Sequence, residues 1–426
     1  MVTKRAPRTA PMMRLAAIRT AVLVMVALSA CNKAPPLDNV CSYGPLPATS
    51  EVPAGQGGVV TQAATDAYFY AFDGAGKQVG SAHVNTLLPL KPGEYQLKVN
   101  NSVHMGAVES ATLTKCPTGG VLVNGSTDEY YHVFDDAGKG LASAHIGAGL
   151  SLFQGSYQIR LNNSSSAAQV QSGTTANLTT GTVNVDAPTD EYYYVFDSAG
   201  TQLASSHLGK PLGLFAGMYT VKLNNSESKA EVRAETTNIP AGTLVLEGST
   251  DEYYYVFNAA GTQLASSHLG RPLALFPGSY NVKLNNSTAT TSVATSPITI
   301  GSGSITLQGS TDEYYYVFDH AGTQLASAHL GRPLSFLPGD YTAKLNNVPI
   351  PVRVEAGRAN ENQTGSLTVK SSGSGYYSVF DSAGTQLASK ELNQPVSLPA
   401  GEYLVKVGSN TRTVAVTAGQ SSVVNL

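Results

Sequence analysis

Charged side chains are scarce in this chain of 426 residues, at 13% of the total. The 26 basic and 29 acidic residues leave a formal net charge of −3 and no broadly basic face, so we expect no nucleic-acid partner. Helix-forming stretches rich in leucine, alanine and glutamate are missing after the first part of the chain. The 42 Gly and 22 Tyr, with many Ser, Thr and Asn, indicate instead an all-β protein of short strands and tight turns.

Sequence motifs of enzymes and cofactor sites are also missing. The chain has no Ser-His-Asp arrangement, no glycine-rich phosphate loop and no Cys-x-x-Cys pair. An Asp-x-Asp-x-Asp-Gly run, which a calcium loop would need, is absent as well. We therefore predict a protein without catalytic residues, cofactors or a metal site.

The N-terminus combines basic residues with a short apolar run. The basic residues are Lys4, Arg5, Arg8, Arg14 and Arg19. The apolar residues 21–30 are too few to span a bilayer as a helix, and they lead into the motif LSAC, which ends at Cys31. This motif resembles the lipobox of bacterial lipoproteins. The resemblance implies a signal peptide at 1–30 and a lipidated, palmitate-bearing Cys31. The alternative is an ordinary secretory signal.

The same resemblance implies a cell-envelope protein that contacts a membrane through its lipid anchor. Asn32, rather than aspartate, follows the cysteine. By analogy with lipoprotein sorting, this favours the outer membrane over the inner membrane of a Gram-negative cell, with the chain in the periplasm or at the surface.

Internal repetition dominates the rest of the chain. A glycine opens each copy, at Gly57, Gly119, Gly181, Gly242, Gly303 and Gly365, and the copies are 61 or 62 residues long. After a tether at 31–56, we predict β-repeats at 57–118, 119–180, 181–241, 242–302, 303–364 and 365–426. The sixth copy occupies the sequence up to Leu426, so we expect no separate catalytic domain.

Each repeat shows about seven short strand patterns. In the third repeat, residues 182–186, 192–196, 202–205 and 212–215 read as strands, and residues 197–200 form a tight turn. A further strand follows, in which Tyr219, Val221 and Leu223 share one face. The connections between repeats are very short, so we expect neighbouring repeats to touch.

The end of the sixth repeat, LPAGEYLVKVGSNTRTVAVTAGQSSVVNL, resembles bacterial prealbumin-like or immunoglobulin-like β-sandwich domains. The carboxypeptidase-regulatory-like and PEGA-like repeats belong to this group. The resemblance implies six tandem small β-sandwiches. A six-bladed β-propeller is the alternative, although its blades have about four strands in 40–50 residues.

Cys41 and Cys116 remain as an even pair of cysteines in an oxidising compartment. Cys41 precedes the first repeat and Cys116 lies near its end, so a disulfide would tie the tether to that repeat. We predict this bridge; two free buried thiols are the alternative.

Two polar positions recur beside the tyrosines when the repeats are aligned, and we call each such position a column. A histidine occupies one position in five repeats, exemplified by His207, and our alignment places Lys390 there in the sixth. Because an ammonium group cannot bind a metal ion, we interpret the column as a polar strand end. We interpret the acidic pair, exemplified by Asp190 and Glu191, as strand-edge charges that discourage edge-to-edge pairing.

The tyrosines are the best candidates for a binding surface. Tyr192, Tyr194 and Phe196 share one face of their strand, and one of the two faces must be core. The candidate surface comprises Tyr70, Tyr194, Tyr255 and Tyr316. Exposed tyrosines would offer amphipathic platforms for sugar rings or proteins, whereas packing between repeats is the alternative.

These observations predict a lipid-anchored, non-catalytic rod on the order of 180 Å long, at about 30 Å per repeat. Its predicted role is a structural spacer or a multivalent adhesive binder, because weak sites in series raise avidity. The second hypothesis is an array of carbohydrate-binding modules for peptidoglycan or exopolysaccharide. The partners would be a cell-wall or extracellular glycan or a surface protein.

Overall fold

The computed structural model describes residues 41–425. Cys31 lies outside the described residues, so its lipidation stays a prediction. Cys41 and Cys116 form a disulfide, which confirms the predicted pair. Among the described residues, no helix is both long enough and apolar enough to cross a membrane.

The described chain consists of strands joined by turns. We number the repeats 1 to 6 by the sequence boundaries given above. The strand β1 (Ser42–Pro45) precedes repeat 1, and β15 is shared by repeats 2 and 3. Repeat 1 contains β2 (Gly57–Gln62), β3 (Tyr68–Phe72), β4 (Gln78–His83), β5 (Leu88–Leu90), β6 (Gly93–Val99), β7 (Ser102–Val108) and β8 (Thr112–Pro117). Repeat 2 contains β9 (Gly119–Asn124), β10 (Tyr130–Phe134), β11 (Gly140–His145), β12 (Gly149–Leu152), β13 (Gly155–Leu161), β14 (Ser164–Val170) and the first half of β15 (Thr175–Asp186).

The later repeats follow the same order. Repeat 3 continues with β16 (Tyr192–Phe196), β17 (Gln202–His207), β18 (Leu212–Phe215), β19 (Gly217–Leu223), β20 (Ser226–Val232) and β21 (Thr236–Pro240). Repeat 4 contains β22 (Gly242–Glu247), β23 (Tyr253–Phe257), β24 (Gln263–His268), β25 (Leu273–Leu275), β26 (Gly278–Leu284), β27 (Ser287–Val293) and β28 (Ile298–Gly301). Repeat 5 contains β29 (Gly303–Gln308), β30 (Tyr314–Phe318), β31 (Gln324–His329), β32 (Leu334–Phe336), β33 (Gly339–Leu345), β34 (Val348–Val354) and β35 (Ala359–Gln363). Repeat 6 contains β36 (Gly365–Lys370), β37 (Tyr376–Phe380), β38 (Gln386–Glu391), β39 (Pro395–Leu398), β40 (Gly401–Val407), β41 (Asn410–Val416) and β42 (Ser421–Asn425).

Two sheets make up each repeat. In repeat 6, one sheet has the order β38-β37-β40-β41 and is antiparallel throughout. The other has the order β39-β36-β42, in which β36 and β42 are parallel. We call them the four-stranded sheet and the second sheet. The second sheets of repeats 2 and 3 are continuous through β15.

The hydrophobic core of each repeat lies between its two sheets. In repeat 3, Val183 and Val185 of the second sheet pack with Tyr193 and Val195 of the four-stranded sheet. Because two packed sheets differ from the single sheet of a propeller blade, the all-β sandwich prediction is confirmed and the propeller alternative is wrong.

Tyr193 shows how a large polar side chain is held in this core. Its ring is fully buried, and its hydroxyl donates to Val183 O at 2.9 Å and is 2.8 Å from Lys210 O. Burial raises the pKa of Tyr193. Val183 lies in β15 and Lys210 in the turn between β17 and β18, so the tyrosine ties the second sheet to that turn.

Close backbone packing explains why glycine occupies the first position of a repeat. A Cβ on Gly181 would overlap Arg233 O, and one on Gly242 would overlap Ala294 O. The strand therefore approaches the backbone at the end of its own repeat more closely than any side chain allows. A single residue, Ala241, separates β21 from β22, which confirms that connections between repeats are short.

Candidate binding surface and the joints between repeats

The outer face of the four-stranded sheet carries the exposed tyrosines. Along β16, Tyr193 and Val195 point into the core, while Tyr192 is 48% and Tyr194 39% exposed. This alternation follows from the period of two along a strand. The predicted surface residues Tyr70, Tyr194, Tyr255 and Tyr316 have the same exposure, 39% each, so all four lie on this outer face.

On the neighbouring strand of the sheet, a basic residue lies opposite each of these tyrosines. Tyr194 pairs with Lys222, and the Lys222 ammonium is 5.0 Å from the centroid of the Phe196 ring. A cation over an aromatic ring at this distance is stabilised by the ring's negative face. The same arrangement, at 4.2–5.0 Å, joins Lys98 to Phe72, Arg160 to Phe134, Lys283 to Phe257 and Lys344 to Phe318.

Tyrosine, lysine and asparagine side chains line an open groove on this face. The groove of repeat 3 has a volume of about 560 Å³, and its walls include Tyr192, Tyr194, Lys222 and Asn224. An equivalent groove of about 510 Å³ in repeat 4 includes Tyr253, Tyr255, Lys283 and Asn285. Each groove thus combines flat aromatic rings with hydrogen-bond donors.

The recurring histidine covers a tyrosine ring. In repeat 3, the His207 and Tyr192 ring centroids are 3.9 Å apart, and His207 Nδ1 is 3.0 Å from Asp190 Oδ1. Repeats 1, 2, 4 and 5 have the same triad, with the tyrosine–histidine pairs Tyr68–His83, Tyr130–His145, Tyr253–His268 and Tyr314–His329.

The strand register corrects the alignment of the sixth repeat. Tyr376 pairs with Glu391, in the way that Tyr192 pairs with His207. Glu391 rather than Lys390 therefore occupies the histidine position, and the Tyr376 hydroxyl donates to Glu391 Oε1 at 3.2 Å. The sequence alignment of repeat 6 was therefore wrong by one residue. The argument that a lysine at this position excludes metal binding no longer applies.

Glu191 reaches from repeat 3 into repeat 4, contrary to the prediction of a strand-edge charge. Its Oε2 accepts a hydrogen bond from the Ala274 N–H at 2.9 Å. Asn224 Nδ2 donates to Glu191 Oε1 at 2.7 Å and to Ala274 O at 2.9 Å, and Asn225 Nδ2 donates to Leu264 O at 2.7 Å. The half-buried carboxylate and both amides thus bind the backbone of the following repeat. We call this set of contacts the polar part of a joint.

The two asparagines form the hairpin between β19 and β20. Asn224 and Asn225 have φ values of 47° and 58°, the left-handed conformation that a two-residue hairpin of this kind requires and that asparagine tolerates well. The turn therefore explains the residue type, and its side chains are free to reach the next repeat. The sequence alone assigns these asparagines no role, because the repeat that they contact lies elsewhere in the sequence.

The polar part recurs at the joints of repeats 2 and 3, 4 and 5, and 5 and 6. Glu129, Glu252 and Glu313 accept hydrogen bonds from the N–H groups of Gly213, Ser335 and Ser397 at 2.7–2.9 Å. The first joint differs, because Ala67 replaces the glutamate. There, Thr65 Oγ1 and Ser151 Oγ are 2.6 Å apart, and Asn100 donates to Ser151 O at 3.0 Å.

An apolar side chain completes each of the first four joints. Phe276 of repeat 4 lies in the core of repeat 3, and its N–H donates to Ser226 Oγ at 3.1 Å. Phe153, Phe215 and Leu337 enter the cores of repeats 1, 2 and 4 in the same way. We call this inserted residue the plug. Neighbouring repeats therefore touch, as predicted, through both polar and apolar contacts.

Comparison with known proteins identifies no family. No protein-family model matches the chain, and no curated protein matches it. Among solved structures, the Bacillus anthracis TIE protein is similar at 13% identity and a TM-score of 0.14, over 61% of this chain and 74% of that one. BcpA, the major pilin subunit of Bacillus cereus, is similar at 10% identity and a TM-score of 0.13, over 58% and 98% of the two chains. TM-scores this low carry no inference about function.

Proposed function

We propose that the chain is a lipid-anchored cell-envelope protein that acts as a non-catalytic structural spacer or multivalent adhesive rod. The anchor rests on the lipobox-like motif at Cys31. The observation that carries the spacer role is the joint, which recurs between successive repeats. A joint that uses both a buried plug and hydrogen bonds to backbone groups resists bending, because any tilt would expose the plug and break those bonds.

Repeat number is the variable that tests the spacer role. We would delete residues 242–302 in one variant and duplicate them in another, both made from the soluble fragment 32–426, which omits the predicted signal peptide and Cys31. If the repeats form a rod, the maximum dimension from small-angle scattering falls by about 30 Å in the first variant and rises by about 30 Å in the second. A maximum dimension that stays constant contradicts the proposal.

The grooves on the four-stranded sheets favour a second function, an array of carbohydrate-binding sites for peptidoglycan or exopolysaccharide. Sugar rings present apolar C–H faces that pack on aromatic rings such as Tyr194, and hydroxyls that accept hydrogen bonds from the Lys222 ammonium group. Repetition would convert weak binding at each groove into strong retention on a polymer.

Retention on purified peptidoglycan and exopolysaccharide distinguishes this function from a pure spacer. The test variant changes Tyr70, Tyr194, Tyr255 and Tyr316 to alanine together. A control changes two exposed residues of second sheets, Tyr43 on β1 and Val423 on β42, to alanine. The carbohydrate function predicts that only the test variant loses retention. Equal retention of both variants rules the tyrosine surface out as the binding site.

A further inference from the structure

The joints have two sides, and each side has its own residues. The holding side belongs to the earlier repeat and consists of the glutamate, the two asparagines and the serine that follows them. The inserted side belongs to the later repeat and consists of the plug and the backbone N–H two residues before it. At the joint of repeats 3 and 4, the holding side is Glu191, Asn224, Asn225 and Ser226, and the inserted side is Ala274 and Phe276.

Repeat 6 lacks the holding side. Its strand register places Gly375 at the glutamate position, and Gly408 and Ser409 at the asparagine positions. Asn410 takes the position of Ser226, because it pairs with Val407 as Ser226 pairs with Leu223. A repeat placed after this one would bury a backbone N–H without an acceptor, which is strongly unfavourable.

Repeat 1 lacks the inserted side. The pairing of β2 with β5 places Pro89 at the position of Ala274, and proline has no N–H to donate. Lys91 takes the position of the plug and is exposed, whereas Phe276 is 2% exposed. An ammonium group cannot enter the apolar core of another repeat without a large loss of hydration.

The joint of repeats 5 and 6 shows that the two sides change together. Pro399 replaces the plug phenylalanine and has no N–H, and Val348 replaces the serine that would accept from it. Val348 instead packs against the core of repeat 6. The matched change indicates that the residue types at the two positions depend on each other.

We propose that the joint is a docking surface whose partner is another repeat of this chain, and that repeats 1 and 6 are caps because repeat 1 lacks the inserted side and repeat 6 lacks the holding side. The caps keep separate molecules from joining end to end, although every internal repeat carries an inserted side and the glutamate and asparagines of a holding side. This proposal rests on the joint contacts and is independent of what the tyrosine surface binds.

Adding a seventh repeat tests the cap of repeat 6. One fusion appends a copy of residues 242–302 after the native repeat 6. A second fusion also replaces segments 371–375 and 408–410 with the holding segments 248–252 and 285–287 of repeat 4. Hydrogen exchange is measured at the copy's amide that corresponds to Ala274. We expect about tenfold slower exchange in the second fusion, since only there does the amide gain its carboxylate acceptor. Equal exchange in both fusions overturns the proposal.

Removing a holding side from the native chain tests the same proposal without requiring an added repeat to fold. The triple variant Glu191→Gly, Asn224→Gly and Asn225→Ser gives repeat 3 the residues of repeat 6. We expect the Ala274 amide to exchange faster by about tenfold, while the Gly213 amide at the preceding joint is unchanged. The matched control is Asp190→Ser, which alters the exposed neighbour of Glu191; its carboxylate lies 3.0 Å from His207 of the same repeat and takes no part in the joint contacts described above. An unchanged Ala274 amide in the triple variant, or an equal change in the control, overturns the proposal.

Discussion

Phe215 and Ser164 belong to different repeats, yet the Phe215 N–H donates to Ser164 Oγ at 3.1 Å. The Phe215 ring is 4% exposed because it lies in the core of repeat 2. The core of one repeat is therefore completed by a side chain of the next. Stability should accordingly be shared between neighbours, as in other repeat proteins.

Removing this plug should destabilise two repeats at once. Phe215→Ala leaves a cavity in repeat 2, and we expect a loss of about 3–5 kcal/mol in the free energy of unfolding. Hydrogen exchange should show the loss in repeats 2 and 3 and little change in repeat 6. Met218→Ala, which alters a 58% exposed side chain nearby, is the control and should cost less than about 0.5 kcal/mol. Similar losses in the free energy of unfolding for the two variants would contradict a stabilising role of Phe215 in the core of repeat 2.

The disulfide should stabilise repeat 1 in particular. Cys41 and Cys116 are separated by 75 residues, and closing a loop of that size contributes about 4 kcal/mol in the chain-entropy model. We expect reduction to lower the unfolding temperature of repeat 1 and to leave repeat 6 unaffected. Non-reducing peptide mapping of the exported protein should recover the two cysteines in one cross-linked peptide pair. Recovery of two freely alkylated thiols would contradict the bridge.

The buried tyrosines should make the fold sensitive to alkali. Burial raises the pKa of Tyr131 to about 12 and that of Tyr403 to about 12, from the ordinary value of 10.0. The folded state therefore holds these protons more tightly than the unfolded chain. Their contribution to stability is complete below about pH 10 and is lost as the pH rises through about 12. Tyrosinate absorbance and circular dichroism, followed together, should show these side chains ionising as the strands unfold. In Tyr131→Phe, we expect stability to fall less steeply over this pH range.

The lipid anchor should depend on one sulfur atom. Cys31→Ser removes the predicted site of acylation, and we expect the protein to be released from membranes or to accumulate as the unprocessed precursor. Stable anchoring needs two or more acyl chains, so no other part of the predicted mature chain should replace them. Membrane fractionation with detection of precursor and mature sizes is the measurement. Mature-sized protein that stays with the membrane would contradict the prediction, and Cys41→Ser is the control.

Local patterns were enough to predict most strands. The apolar run at 192–196 and the short strand at 212–215 agree with β16 and β18, because each is bounded by turn-forming residues. The strand predicted at 182–186 is longer in the structure, since β15 begins at Thr175. Gly181 marks the boundary between repeats 2 and 3, but the strand continues through it, so the opening glycine did not predict where the strand begins.

The joints could not be predicted from local patterns. The role of Glu191 depends on where the next repeat places the Ala274 N–H, which is a property of two repeats packed together. One signal was nevertheless present in the sequence. The glutamate and both asparagines disappear together in repeat 6, where Gly375, Gly408 and Ser409 stand instead. Residues that vanish as a set are expected to share one interaction.

The two-sided joint has a consequence for how such an array changes in length over generations. Recombination between near-identical internal copies inserts or removes whole units of 61 or 62 residues. Each inserted unit brings its own glutamate and asparagines and its own plug, so new joints are complete as soon as the gene is rearranged. Length can therefore vary in whole steps without any compensating mutation, provided that the exchange leaves the first and sixth units in place.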